Sequence, residues 1–151
     1  MRSAGSHLDF DIELAKDESD KNPVYYLQYA HARICGILRN AGELMEDFEN
    51  KKIDFSLLKE KDEIDLIKIL LQFPLEVESA AYSLEPHKII TYLNQVAENF
   101  HRFYRNCRVI NIENKPLSFA RLGLALSAKQ ILKNGFHILG ISAPERMEKL
   151  P

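Results

Sequence analysis

The stretch 116–139 lies between Pro116 and Gly140. Projected at about 100° per residue, it carries apolar side chains on nearly every side: Phe119, Leu122, Leu124, Leu126, Ile131, Leu132, Phe136, Ile138 and Leu139. A helix without a polar face has no side to turn to water, so it is expected in the middle of other helices. The remaining chain supplies them. Asn22 is a favoured N-cap and Pro23 a favoured first helical residue, and the helical period runs to Asn40 before Gly42 stops it. Further helices are expected over 63–72, from Pro74 to 84 and from Pro86 to 106. Gly135 is expected to loosen the last helix locally. The acidic, apolar-poor stretch 43–61 reads as a mobile connector with a short turn near 55–58. Residues 7–12 alternate like a short strand, and 108–112 read as irregular or extended. The expected fold is all-α, a bundle of about five helices.

A chain of 151 residues suits one domain and can bury a core without a staple. Cys35 and Cys107 lie far apart and outside any CxxC spacing, so they read as reduced, buried thiols of a cytoplasmic protein. No apolar run is long enough for a bilayer span, no signal peptide is visible, and no membrane partner is expected. Net charge is −2, which does not mark the whole chain as a nucleic-acid binder. Its distribution is uneven. Residues 101–151 hold nine Lys/Arg against three Glu, a net +6, which leaves −8 on the first hundred. Such asymmetry can orient a protein on a phosphate backbone, or it can be a matter of solvated faces.

On the first helix Val24, Leu27, His31, Ile34 and Leu38 fall in a band roughly 80° wide, the core stripe. His31 lies inside it and reads as a hydrogen-bonded core residue. Tyr26, Tyr29 and Arg33, spaced three and four apart, share the opposite face. Two phenols beside a guanidinium offer stacking surfaces and a fork of donors for a phosphate or a base edge. A neighbouring helix covering the tyrosines would leave the same pattern. Near the end of the fourth helix His101, Arg102, Arg105 and Arg108 surround Phe103 and Tyr104. This fits either a nucleic-acid contact or cations complementing a helix dipole. GxGxxG, GxxxxGK[ST], HExxH and GxSxG are absent, and no His/Cys spacing suits zinc.

The string Asn22-Pro-Val-Tyr-Tyr-Leu-Gln-Tyr-Ala-His-Ala-Arg33 resembles the opening of the anticodon-binding domain of arginyl-tRNA synthetases. Residues 1–11 resemble the segment that joins this domain to the family's catalytic core. Phe103-Tyr-Arg-Asn-Cys-Arg-Val109, Ala120-Arg-Leu-Gly-Leu124, Gln130-Ile-Leu-Lys-Asn-Gly135 and Leu139-Gly-Ile-Ser-Ala-Pro-Glu-Arg-Met147 match further family blocks, in the family's order. The resemblance implies a joining segment over 1–21 and a helical anticodon-binding domain over 22–151. It implies arginine tRNA as partner, with the catalytic domain of the same parent chain, and a monomer. ATP with magnesium would serve that separate domain, and none is implied here. The family's HIGH-like sequence and lysine loop are missing, so the chain is expected to be a fragment without an aminoacylation site.

By the same resemblance tRNA contacts fall on Tyr26, Tyr29 and Arg33, on Tyr104, and on the family's terminal methionine, here Met147, with four residues following it. Arg105 and Arg108 join them from the basic helix end. No catalytic or metal-binding residue is assigned. The family's Asp-Ala-Leu-Arg motif reads Ser118-Phe119-Ala120-Arg121-Leu122 here, and Arg121 is expected to be structural. Arginine anticodons share a central C, the base such a site would unstack and read. The competing expectation is a helical protein-interaction module that docks a partner helix on Tyr26, Tyr29 and Arg33.

Overall fold

Asn22 starts the first long helix as its residue type predicts. In the computed structural model, which describes residues 11–17, 19, 21–49 and 51–147, its side chain accepts from the N–H groups of Val24 and Tyr25 at 3.1 and 3.4 Å. The helices are α1 (Ile12–Lys16), α2 (Pro23–Asn40), α3 (Glu43–Glu49), α4 (Lys61–Leu71), α5 (Phe73–Ser83), α6 (His87–Asn106) and α7 (Lys115–Leu139). Short 3-10 turns cover Phe55–Leu57 and Ile112–Asn114. Among the described residues there is no strand. The five long helices are the expected ones, and α1 and α3 are additions. Of the alternating stretch 7–12, residues 7–10 lie outside the described residues, and Ile12 opens α1.

The last helix is central, as its missing polar face requires. It packs on α2, α3, α4, α6 and both 3-10 turns. Helix α6 is its counterpart and touches α2, α4, α5 and α7. The core lies between these helices, with Leu27, Ile34, Leu66, Leu93, Phe100, Leu122, Leu132 and Phe136 fully buried. Gly140 (φ +68°) and Gly42 (φ +47°) take the left-handed conformation at helix ends, where a side chain would be strained.

Two expectations are corrected. Part of the 43–61 connector is helix α3. Its few apolar residues, Leu44, Met45 and Phe48, fall at i, i+1 and i+4, so they face the bundle together. Phe48 meets Phe119 of α7 edge-on at 6.4 Å. Gly135, in turn, does not loosen α7. A Cβ placed there would come within 2.6–3.0 Å of the Leu93 side chain, so glycine permits α7 and α6 to approach closely. Because Leu93 is fully buried, it has little room to move. Gly135→Ala is therefore expected to destabilise the fold by about 1–3 kcal/mol from overpacking. The better helix propensity of alanine offsets at most about 1 kcal/mol of that. Urea unfolding measures it, and a net gain in stability would contradict the close-packing account.

Arg121 of α7 has the expected structural place. Its Nε donates to Glu63 Oε1 at 2.6 Å and its Nη1 to the Arg108 carbonyl at 2.9 Å. Glu63 Oε2 accepts from the Glu60 N–H at 2.9 Å and so also caps α4. One ion pair thus ties together α7, α4 and the turn after α6. Cys35 and Cys107 are free and buried, as expected. No helix among the described residues is long and apolar enough to cross a membrane.

Candidate functional site

Helices α2 and α6 lie side by side, and their outward faces meet in a layer of rings and guanidiniums. Tyr104 stacks on Phe100 one turn earlier, with centroids 6.2 Å apart and planes at 13°. The Arg33 guanidinium lies over the Tyr104 ring, 4.9 Å from its centroid. Two turns toward the start of α2, Tyr26 contacts the His101 ring at 5.7 Å. Of the stripe read from spacing, Tyr29 is half-buried and Arg33 exposed.

Beside this layer is a cleft of about 260 Å³ lined by Tyr29, Ala32, Arg33, Gly36, Ile37, Arg39, Asn40, Tyr104, Arg146 and Met147. Its second wall comes from the segment that follows α7. That segment crosses α2, where Gln28 Nε2 donates to the Ser142 carbonyl at 3.0 Å and Arg39 Nη1 to the Glu145 carbonyl at 3.0 Å. Between them His31 Nδ1 donates to the Pro144 carbonyl at 2.8 Å, so His31 is the hydrogen-bonded core histidine its position implied. This bond fixes the Nδ1–H tautomer and leaves Nε2 unprotonated, buried and without a hydrogen-bond partner among the described residues.

Four of the seven expected residues, Tyr29, Arg33, Tyr104 and Met147, therefore meet in one cleft. The other three lie outside it. Tyr26 is half-buried, packed on the core and against His101. Arg105 is exposed on α6. Arg108 turns back on its own loop, its Nε donating to the Ile110 carbonyl at 3.1 Å. Sequence reasoning missed Arg39, Asn40 and Arg146. A signal for Asn40 existed: Tyr29, Arg33, Gly36 and Asn40 continue one stripe at i, i+4, i+7 and i+11. Arg146 had none, because an irregular segment delivers it.

The cleft lining carries three guanidiniums and no carboxylate. Among the described residues no group of three or more His, Cys, Asp or Glu side chains could hold a metal ion. Magnesium takes oxygen ligands, so rings, guanidiniums and a thioether do not fit it. What they suit is a flat, electron-rich ring attached to negative charge.

Burial, with help from the charges of Arg33 and Arg105, lowers the His101 pKa from 6.5 to about 4. Burial also lowers that of His31. The unfolded chain protonates these histidines near pH 6.5 while the folded chain withholds the proton. Stability is thus full above about pH 6.5 and falls as the pH drops toward about 4. His101→Phe is expected to flatten part of this fall in urea unfolding at pH 7 and pH 5. An unchanged pH dependence would contradict the burial of a neutral imidazole.

Comparison with known proteins places these residues in a family context. The model of the DALR anticodon binding domain matches residues 27–147. An arginine–tRNA ligase of Salinibacter ruber is 53% identical over 147 residues, covering 97% of this chain and 26% of the relative. One from Caldanaerobacter subterraneus is 49% identical over 148 residues, with the same coverage of both chains. The chain thus spans about a quarter of the length of the relatives it matches. Among solved structures, a Campylobacter jejuni chain assigned as an arginyl-tRNA synthetase superposes with a TM-score of 0.83 at 32% identity, covering 97% of this chain and 31% of that one. The arginyl-tRNA synthetase of Thermus thermophilus gives 0.73 at 33% identity, with 93% of this chain and 24% of that one covered.

Proposed function

Because this chain belongs to the DALR anticodon-binding domain family, we propose that it recognises the anticodon loop of arginine tRNA, taking an unstacked base into the cleft between α2, α6 and the segment after α7. One observation carries this reading. Residues from three separate parts of the chain converge there on aromatic walls with a cationic rim. Unpaired RNA bases are read by such surfaces, because a base swung out of its stack exposes a π-face and a phosphate together. Tyr29 and Tyr104 supply ring surface, and Arg33, already held over Tyr104, supplies charge beside it. Met147 is a soft apolar wall that adapts to the ring. Tyr26 acts from behind, by fixing His101 and the helix spacing. Arg105 and Arg108 face phosphates further along the loop.

The relatives are named arginine–tRNA ligases. We place aminoacylation, with its ATP and magnesium, in the part of such a parent that this chain does not span. The test is direct binding of an arginine tRNA transcript to the chain at rising salt. With about three phosphate contacts, affinity is expected to fall roughly tenfold to thirtyfold between 50 and 200 mM salt. Affinity that stays level with salt would contradict the phosphate contacts.

A further inference from the structure

The segment 141–147 has no regular structure, so no internal ladder of hydrogen bonds sets its path. Ile141 and Ala143 pack on the core. Three donors on α2 do the rest. Gln28 Nε2 reaches both the Ser142 carbonyl (3.0 Å) and its Oγ (2.9 Å), His31 reaches the Pro144 carbonyl and Arg39 the Glu145 carbonyl. At i, i+3 and i+11 the three donors share one flank of α2, beside the flank that carries Tyr29 and Arg33. Each takes hold of a main-chain oxygen, so they fix the path of the strap whatever its side chains are. Immediately beyond the last held carbonyl come Arg146 and Met147, the strap's two residues in the cleft.

We infer that Gln28, His31 and Arg39 are positioning residues for RNA recognition, holding the strap so that Arg146 and Met147 close the second wall of the cleft. Strap docking and RNA binding then stabilise each other, because coupling between two binding events is reciprocal. The RNA half of this inference rests on the anticodon reading above. Arg39 lines the cleft itself, so Gln28, which does not, is the cleaner position to test.

Gln28→Met keeps the length of the side chain and removes both bonds to Ser142. Gln28 belongs to neither the buried core nor the cleft lining, so Tm should stay unchanged. Two quantities are read on the 151-residue chain: the rate of trypsin cleavage after Arg146 and the affinity for an arginine tRNA transcript. Losing two modest hydrogen bonds should speed cleavage and weaken RNA binding by about threefold to tenfold each. In the wild-type chain the transcript should slow that cleavage. Gln95→Met, on the exposed surface of α6, should change neither.

Faster cleavage with unchanged RNA affinity would overturn the positioning role and leave the anticodon reading intact. Unchanged cleavage in Gln28→Met would overturn the latch itself. A wild-type chain that binds no RNA while Gln28→Met still loosens the strap would show that the anticodon reading had failed, and the positioning role with it.

Discussion

Arg121→Ala is expected to destabilise the bundle by about 3–5 kcal/mol, because it leaves a buried carboxylate without its counter-charge. Glu63 is 0% exposed and Arg121 11%, so water cannot replace the lost partner. The same substitution also removes the donor to the Arg108 carbonyl and frees the turn after α6. For a domain of this size the loss corresponds to a Tm lower by roughly 10 °C. Urea unfolding should show a lower midpoint with an unchanged slope.

The double variant Glu63→Leu with Arg121→Met should recover most of the stability, since well-packed apolar residues can replace a buried pair. Lys61→Ala makes the contrast. It removes the Lys61–Asp65 pair, in which Lys61 is 84% exposed, and should cost under about 0.5 kcal/mol. If Arg121→Ala and Lys61→Ala cost the same, the buried ion pair is not what joins α7 to α4.

Tyr29→Ala should weaken binding of arginine tRNA by about 1–3 kcal/mol, roughly fivefold to 150-fold, the contribution of one base stacked on an aromatic ring. Tyr29→Phe keeps the ring and should retain most of the affinity. Tyr29 is half-buried at the cleft, outside the hydrophobic core, so neither change should unfold the chain. In a full-length parent ligase the alanine variant should impair tRNA charging far more than arginine activation. Equal losses in both reactions would contradict a role confined to tRNA.

The five long helices were legible because punctuation and periodicity agreed. Asn22 with Pro23, Pro74, Pro86 and Pro116 mark starts to within a residue or two, and Gly42 and Gly140 mark ends. Helix α3 escaped because its acidic composition hides three apolar residues, and the ring that Phe48 meets, Phe119, is distant in sequence. Gly135 was misjudged for a similar reason. Propensity describes the isolated helix, whereas the close approach to Leu93 exists only in the packed bundle. The site was half legible. Spacing along α2 exposes Tyr29 and Arg33, and family resemblance adds Tyr104 and Met147. What brings Met147 to the other three is a strap held through main-chain carbonyls, and carbonyls leave no mark in an amino-acid sequence.

The affinity of this chain for two arginine tRNA transcripts, one natural and one with the central anticodon C replaced by G, tests the central claim most directly. If the cleft receives that base, the altered transcript should bind at least tenfold more weakly at the same salt, and Tyr29→Ala should bind the two alike. Equal affinity of the wild-type chain for both transcripts would mean that it holds the RNA backbone without reading the anticodon.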